Sequence, residues 1–579
     1  MKKALSFIFA GLIIVITSIN GTSYPVQADT PEETSLEEYT RVPEADEKVL
    51  SETGYQEEYP ESLNLSDPVD HADTDEADDA ENIDDDDDID DDDDIDDDDD
   101  IDDDIDEDRT YFDVTEFGAD GTDKNDDRYA INAALEKANM TDKTITVNIP
   151  NGKYYISGSL LIFSDTILKL GDKTIIYQMA DYSFGPMIIG AHLDKYGNVC
   201  KCSAGAANVR CDGYKYSKYH DITVDGGKWI AYKNPHTKDS LGTTIVAFRH
   251  AHDITVKNMT CKNASGHALN LSGVDTALVS NVKFEKAIAN AVETPSSLFT
   301  MEFIHLDYCT KAGEPSYGVP FDKTPARNIT IENCSFINGY SGVGNHHPLP
   351  KGGTISSNIT VRGCTFKNME SYMVGELSVK GLTVENCTGT NCMILALIDG
   401  SSDVKLTGNT FDAKGAHKFD NLYKDRGGIN ITKSKKITIK DNTVKNTTNS
   451  TISITRSTNV NIKKNKCIGA GIDGIAIKGV KDGTIASNTV TNAKKRGLEY
   501  RSTTGMTISK NKLSSKDDAL FIIGLEGNGN ARAKVLNNKL NSKNGFDLFL
   551  GPGADNSEFS GNKLAHHNSL TLSKYKGSI

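Results

Sequence analysis

After its first sixteen residues the chain has no apolar run long enough to cross a bilayer, because a spanning helix needs about 20 such residues in succession. It has no glycine-rich loop opening a helix, so nothing is shaped to cradle a phosphate. Lysine outnumbers arginine and no basic stretch is interleaved with aromatics, which removes the usual footprint of nucleic-acid recognition. The 10 cysteines follow no tidy framework. The aspartate-rich stretch lacks the glycine-turned loop that a calcium cage requires.

What is present is a short phrase that returns through the second half. It reads aliphatic–Thr–aliphatic, a brief turn, then Cys or Asn, as in Ile329-Thr-Ile331 before Cys334, Ile359-Thr-Val361 before Cys364 and Ile437-Thr-Ile439 before Asn442. One aligned column holds Cys334, Cys364, Cys387, Asn409, Asn442, Asn465, Asn488, Asn511, Asn538 and Asn562, with steps of 30, 23, 22, 33, 23, 23, 23, 27 and 24. A step of this size marks one supersecondary unit stacked on copies of itself. The runs alternate and are β-branched, bounded by Gly and Asn, so the units are strands. Two or three short strands per step make one coil of an all-β, single-stranded parallel β-helix. Coils about 4.8 Å apart line outward side chains into ladders, which suit a polymer better than a small molecule.

Three segments are expected. Residues 1–28 read as a signal peptide, with Lys2, Lys3, an apolar run and Val26-Gln27-Ala28 as a cleavage site. Residues 29–109 carry 41 acidic against 3 basic side chains and run into Ile-Asp hexads at Ile83, Ile89, Ile95 and Ile101, a composition that stays disordered. Residues 110–579 form the β-helix domain, with a net charge of +14, and its stretch 430–579 alone carries +15. A basic surface on a secreted or cell-surface protein calls for an anionic partner: an acidic polysaccharide, a wall polymer, or the protein's own acidic tail. A monomer is expected, with no transmembrane segment in the mature chain and no nucleic acid bound.

Cys334, Cys364 and Cys387 share the asparagine column and read as a stacked internal ladder of reduced thiols. Cys200, Cys202, Cys211 and nearby His192 form one candidate metal site, but their spacing departs from the usual two-residue cysteine gaps of zinc modules. A disulfide-pinned loop is the expectation there.

Residues 113–137 contain Phe117-Gly118-Ala119, Asp120-Gly121, Asp126-Asp127 and an amphipathic segment Ala130–Ala138. This resembles the entry segment of the pectin-lyase-like superfamily, whose members are right-handed parallel β-helices. The resemblance implies a short N-terminal helix capping the open end of the solenoid, where bare strand edges would invite aggregation. The family includes pectate lyases, polygalacturonase-like hydrolases, epimerases and phage tailspikes, so fold does not settle function. The Asn-Thr-Asp, Asp-Asp and Gly-His-Gly series of the polygalacturonase type is absent, as is a pectate-lyase calcium signature. No cofactor is called for, with Ca2+ the one ion left open.

The repeat is most broken between residues 260 and 436, where coils sprout loops, and loops on a rigid scaffold carry function. There stand His305, Asp307, Tyr308, Asp322, Lys323, Arg327, Asn345, His346, His347, Tyr372 and Glu376. Strand alternation predicts His305, Asp307, His346 and Glu376 facing outward on three successive coils, with Gly342 and Gly344 leaving room for a ligand. Asp307 and Glu376 then form a pair suited to inverting glycoside hydrolysis, with His346 and His305 beside them. The same cluster suits a uronic-acid lyase or epimerase, with Lys323 or Arg327 neutralising the sugar carboxylate and His305, His346 or Tyr308 taking a proton. Tyr308, Asp322, Lys323, Arg327, Asn345, His347 and Tyr372 are the expected substrate contacts. A further candidate surface is a ladder of Lys466, Lys512, Lys539 and Lys563, each just after a column asparagine. Polysaccharide hydrolysis ranks first, elimination or epimerisation second, and a non-catalytic adhesin or polymer-binding protein third.

Overall fold

The computed structural model describes residues 109–179, 185–200, 211, 214–232, 244–286, 302–310, 320–345, 349–416, 426–524 and 531–579. The segments 1–28 and 29–108, and with them the expected signal peptide and acidic tail, lie outside the described residues.

Each coil is built from three short strands, as in Ser356–Arg362, Thr365–Met369 and Tyr372–Leu377. The aliphatic residues of the repeated phrase, such as Ile359 and Val361, are fully buried, and Thr360 between them is half-buried on the outer face. Each strand pairs in parallel with its equivalent one coil on, for example Thr360↔Thr383↔Lys405↔Thr438. The middle strands stack into a 15-stranded sheet, and the other two sets form a 30-stranded one. Those two sets count as one sheet because Val246–Lys257 and Leu269–Ser280, 12 residues each, run through the corner between them. The architecture is the expected right-handed parallel β-helix.

One continuous apolar core runs from Phe112 to Phe559. Within it Phe284, Phe336 and Phe366 stack coil on coil, with ring centroids 4.9 and 4.5 Å apart. The repeating column is a buried hydrogen-bond ladder. Asn488 shows the pattern: its Nδ2 donates to Ile462 O at 2.9 Å and to Asn511 Oδ1 at 3.0 Å, and its Oδ1 accepts from Asn465 N at 2.9 Å. An asparagine there satisfies the tight corner's backbone groups in a buried site, which is why the residue recurs. Cys334, Cys364 and Cys387 occupy the same column as free, buried thiols, and the Cys387 amide donates to Asn409 Oδ1 at 2.9 Å.

The entry motif closes the first coil. Helix α1 (Arg128–Asn139) buries Ile131, Ala134, Leu135 and Ala138. Asp127, 4% exposed, accepts the amides of Asp120 at 2.9 Å and Tyr155 at 2.8 Å. Asp126 accepts the Ser157 amide at 3.0 Å, and Asn132 Oδ1 accepts that of Leu161 at 2.9 Å. The motif's polar residues thus serve the first strands' edges while the helix covers the core. Among the described residues no helix is long and apolar enough to cross a membrane.

Candidate functional site

The irregular coils bring together a buried polar cluster. His305 and Asp307 are each fully buried, with Nε2 3.2 Å from Asp307 Oδ2. The Asp307 Oδ1 also accepts the Tyr308 amide at 2.7 Å. The His305 ring stacks on that of His267, centroids 3.9 Å apart and planes within 7°. His267 Nδ1 lies 3.1 Å from the Glu302 carbonyl and 3.6 Å from its carboxylate. The Tyr372 hydroxyl donates to Glu302 and, at 3.4 Å, to Asn345 O. Ligand atoms of His267, Glu302 and His305 lie within 4.8 Å of one another.

Several expectations need correcting. His305 and Asp307, expected to face outward, are buried rather than exposed. The Asp307–Glu376 pairing rested on the two positions being in step. The ladder aligns His305 with Gly344 and Gly375, so Asp307 stands two residues past this column and Glu376 only one. Along the ladder Glu376 pairs with Ile398. One coil on, Leu395 and Ala396 both donate to Gly428 O, at 2.7 and 3.2 Å, and Tyr372, Met373 and Val374 are all buried, so strict in–out alternation does not hold in this strand. The space expected over Gly342 and Gly344 is filled. A Cβ on Gly344 would lie 2.0 Å from Gly375 O, and one on Gly342 2.3 Å from Met373 O.

The remaining candidates hold the scaffold together. Tyr308 is fully buried and its hydroxyl donates to Ser378 O at 3.4 Å. Asn345 is 3% exposed, its amide donating to Gly375 O at 3.1 Å. Asp322 accepts from the amides of Lys215 at 2.8 Å and Thr324 at 3.0 Å. Burial works against its charge, yet these bonds and the Thr324 hydroxyl hold its carboxyl below the usual range. Arg327 donates to Asp275 Oδ2 at 2.6 Å and lies over the Tyr216 ring at 4.3 Å, while Lys323 Nζ donates to Lys351 O at 2.8 Å. His346 and His347 lie outside the described residues. His267, Glu302 and Asp275 were not singled out from sequence. Aligning His267-Ala-Leu-Asn270 with Glu302-Phe-Ile-His305 would have found the first two, since Asn270 pairs with His305.

The lysine ladder forms as expected. Lys466, Thr489, Lys512, Lys539 and Lys563 follow one another in register along the 15-stranded sheet. The four lysines are exposed, and Lys463, Lys464 and Lys510 stand exposed at the adjoining corner. Lys464 and Lys510 take the left-handed turn, φ 58° and 55°, that lets the following asparagine point inward. Among the described residues the nearest ion pairs are Lys440–Asp441 and Lys534–Glu558. Among the described residues none of these lysines has a carboxylate within ion-pair distance, the acidic Asp441 standing one coil before Lys464 in the same corner column.

Three family models match parts of the chain: "Right handed beta helix region" over residues 244–413, "Periplasmic copper-binding protein (NosD)" over 358–550, and "Rhamnogalacturonase A/epimerase, pectate lyase-like" over 111–184. The chain is 24% identical over 315 residues to the "Plasmin and fibronectin-binding protein A" of Streptococcus pneumoniae, covering 53% of this chain and 40% of that protein. It therefore spans less than half the length of this relative. The crystal structure of PfbA, a surface adhesin of Streptococcus pneumoniae, superposes with a TM-score of 0.55 at 20% identity, over 72% of this chain and 93% of that one. A second structure of this adhesin gives 0.52 at 18% identity, over 74% and 100%. Among the described residues, every His/Cys/Asp/Glu group close enough to share an ion lies before residue 358, and Cys364, Cys387, Cys392 and Cys467 are packed in the interior.

Proposed function

We propose that this right-handed parallel β-helix, which resembles the pectin-lyase-like superfamily, is a secreted or surface-displayed protein that docks an anionic polysaccharide along its basic corner. The observation that carries this is the in-register, exposed row Lys466, Lys512, Lys539 and Lys563. Coils about 4.8 Å apart present a cation at nearly every step, matching a polymer with a charge on each sugar. The likeness to a protein named for binding, and to a surface adhesin, supports binding rather than turnover. The hydrolase reading ranks lower because positions 307 and 376 fall at different offsets from the aligned His305, Gly344 and Gly375.

At about 0.5–1 kcal/mol for each exposed pair, four lysines supply about 2–4 kcal/mol, or about 30- to 1,000-fold in affinity. Salt would weaken this steeply, since the screening length is about 8 Å at physiological ionic strength. The test measures affinity of the full chain for a polyuronate and for neutral dextran at low and high ionic strength. The expected result is salt-sensitive binding to the polyuronate alone, lost in the triple variant Lys512→Glu/Lys539→Glu/Lys563→Glu. Equal binding to both polymers, or an unaffected triple variant, would sink the proposal.

A second reading rests on the buried cluster, where a His–carboxylate pair (His305, Asp307) and a Tyr–carboxylate pair (Tyr372, Glu302) adjoin. Such pairs serve proton transfer in elimination, epimerisation or hydrolysis of uronic-acid polymers. A panel of polysaccharides, read for new reducing ends and for the ultraviolet absorbance of unsaturated uronate, tests it. Activity abolished by Asp307→Asn supports it, and silence across the panel removes it.

A further inference from the structure

Between the strands Ile188–Gly190 and Tyr219–Asp225 the chain leaves the solenoid in a loop that the repeat does not require. The loop begins as a tight antiparallel hairpin. Leu193 pairs with Val199, the Asp194 amide donates to Asn198 O at 2.7 Å, and Asp194 Oδ1 accepts the amides of Tyr196 and Asn198 at 2.9 and 3.0 Å. Gly197 supplies the left-handed residue, φ 82°. This turn sets His192 and Cys200 opposite each other across the hairpin's neck, joined by Cys200 N–H donating to His192 O at 2.9 Å. Cys211 arrives from the far side of the loop, its Sγ 3.3 Å from His192 Nε2.

The three side chains converge on one point. His192 Nε2, Cys200 Sγ and Cys211 Sγ all lie within 4.8 Å of one another. Both sulfurs are nearly buried, at 4% and 5% exposure, in a cluster of their own apart from the main core. No disulfide joins Cys200 to Cys211, in contrast to the pinned loop expected from sequence. The histidine is oriented as a metal ligand is: Nδ1 lies 3.1 Å from Leu193 O, and donating there leaves the Nε2 lone pair facing the sulfurs. Tetrahedral zinc, with bonds of about 2.3 Å to sulfur and about 2.0 Å to nitrogen, has ligand edges of about 3.5–3.8 Å, and the cluster is already on that scale.

We propose that His192, Cys200 and Cys211 form a site for a zinc-class divalent ion. Cys202 lies outside the described residues and is given no role in it. Two thiolates and an imidazole select a borderline-soft cation over Ca2+ or Mg2+, which take oxygen ligands. The ion does for this loop what the solenoid core does for the coils, because two cysteines and a hairpin cannot bury enough surface to hold a loop in place. Its effect reaches the neighbouring coils. Lys215, four residues past Cys211, donates its amide to Asp322, and the Tyr216 hydroxyl donates to Pro325 O at 3.0 Å. The ion thereby sets the loop segment that packs against Asp322–Arg327.

The test uses the full chain purified under reducing conditions without chelator. Zinc content is measured, followed by Co2+ titration read for thiolate-to-metal charge transfer and tetrahedral ligand-field bands. About one ion per chain is expected, with the thiolate bands present. Cys211→Ser and His192→Ala should each weaken zinc binding at least about 100-fold, whereas His220→Ala, in a separate surface group, leaves it unchanged. Should the variants misfold, protection of Cys200 and Cys211 from alkylation by stoichiometric zinc in the unaltered protein decides the matter. Unchanged alkylation with and without zinc, absent thiolate bands, or a Cys200–Cys211 disulfide in protein recovered from the medium would overturn the proposal.

Discussion

Replacing Asn488 by alanine removes an acceptor that two donors share. Asn488 Oδ1 takes the Asn465 backbone N–H at 2.9 Å and its side-chain amide at 3.0 Å. Both donors are buried, Asn465 being 1% exposed, and alanine gives them nothing in return. Each orphaned buried donor costs about 1–3 kcal/mol, so Asn488→Ala should destabilise by about 4 kcal/mol. Ile462 O also loses a donor, which pushes the figure up, and local relaxation pulls it down. Asn488→Cys makes an internal comparison, because cysteine occupies this column naturally and Cys364 takes the Cys334 backbone N–H. Sulfur is a weaker acceptor than an amide oxygen, so about 1–2 kcal/mol is expected. Urea unfolding gives the magnitudes. Hydrogen exchange gives the location: coils interact mainly with their neighbours, so protection should fall first at Asn442, Asn465 and Asn511 and last near α1. A loss below about 1 kcal/mol for alanine, or loss of protection spread evenly along the solenoid, would refute the ladder as a source of stability.

Burial, with Glu499 adding to it against the pull of Arg496, pushes Asp473 up to about 7. The folded state then holds a proton that the unfolded state releases near pH 4, so the group's contribution declines as pH rises from about 4 to about 7 and is flat above. Asp473→Asn should remove this decline and gain up to about 4 kcal/mol at pH 8, read as a divergence between the urea midpoints of variant and unaltered protein; parallel pH profiles would disprove it. If residues 29–109 compete for the basic corner, their deletion should tighten polyuronate binding at low salt and change little at high salt. Identical affinities at both would dismiss that competition. Gly375→Ala should cost about 2 kcal/mol or more, because its Cβ would meet the Tyr372 ring at 2.7 Å, and a variant with an unchanged melting temperature would show that the ring can move aside.

The solenoid was legible because its spacing is enforced chemically. Wherever the corner buries backbone groups, an asparagine or cysteine must serve them, and the step of 23 records that need. The entry motif was legible for a similar reason, Asp126 and Asp127 being tied to the first coil's amides. The lysine row followed directly, since a residue one past a column asparagine inherits the column's register. The polar cluster was only half legible. Its members lie in the coils where the step is irregular, and alternation was extrapolated through a strand in which Tyr372, Met373 and Val374 are all buried. Burial of His305 and Asp307 depends on cover from distant parts of the chain, which periodicity cannot report. His192, Cys200 and Cys211 were seen, but their geometry comes from a hairpin whose turn residues, Asp194 and Gly197, are unremarkable in sequence.

The claim that an anionic polymer lies along the basic corner is tested most directly by lysine footprinting. The full chain is acetylated at limiting reagent with and without a polyuronate, and modification is read site by site by mass spectrometry. Protection concentrated at Lys466, Lys512, Lys539 and Lys563, with Lys169 and Lys283 on other coils unchanged, is the predicted result. Unaltered reactivity along the row while the polymer is bound, or protection centred elsewhere, would contradict it.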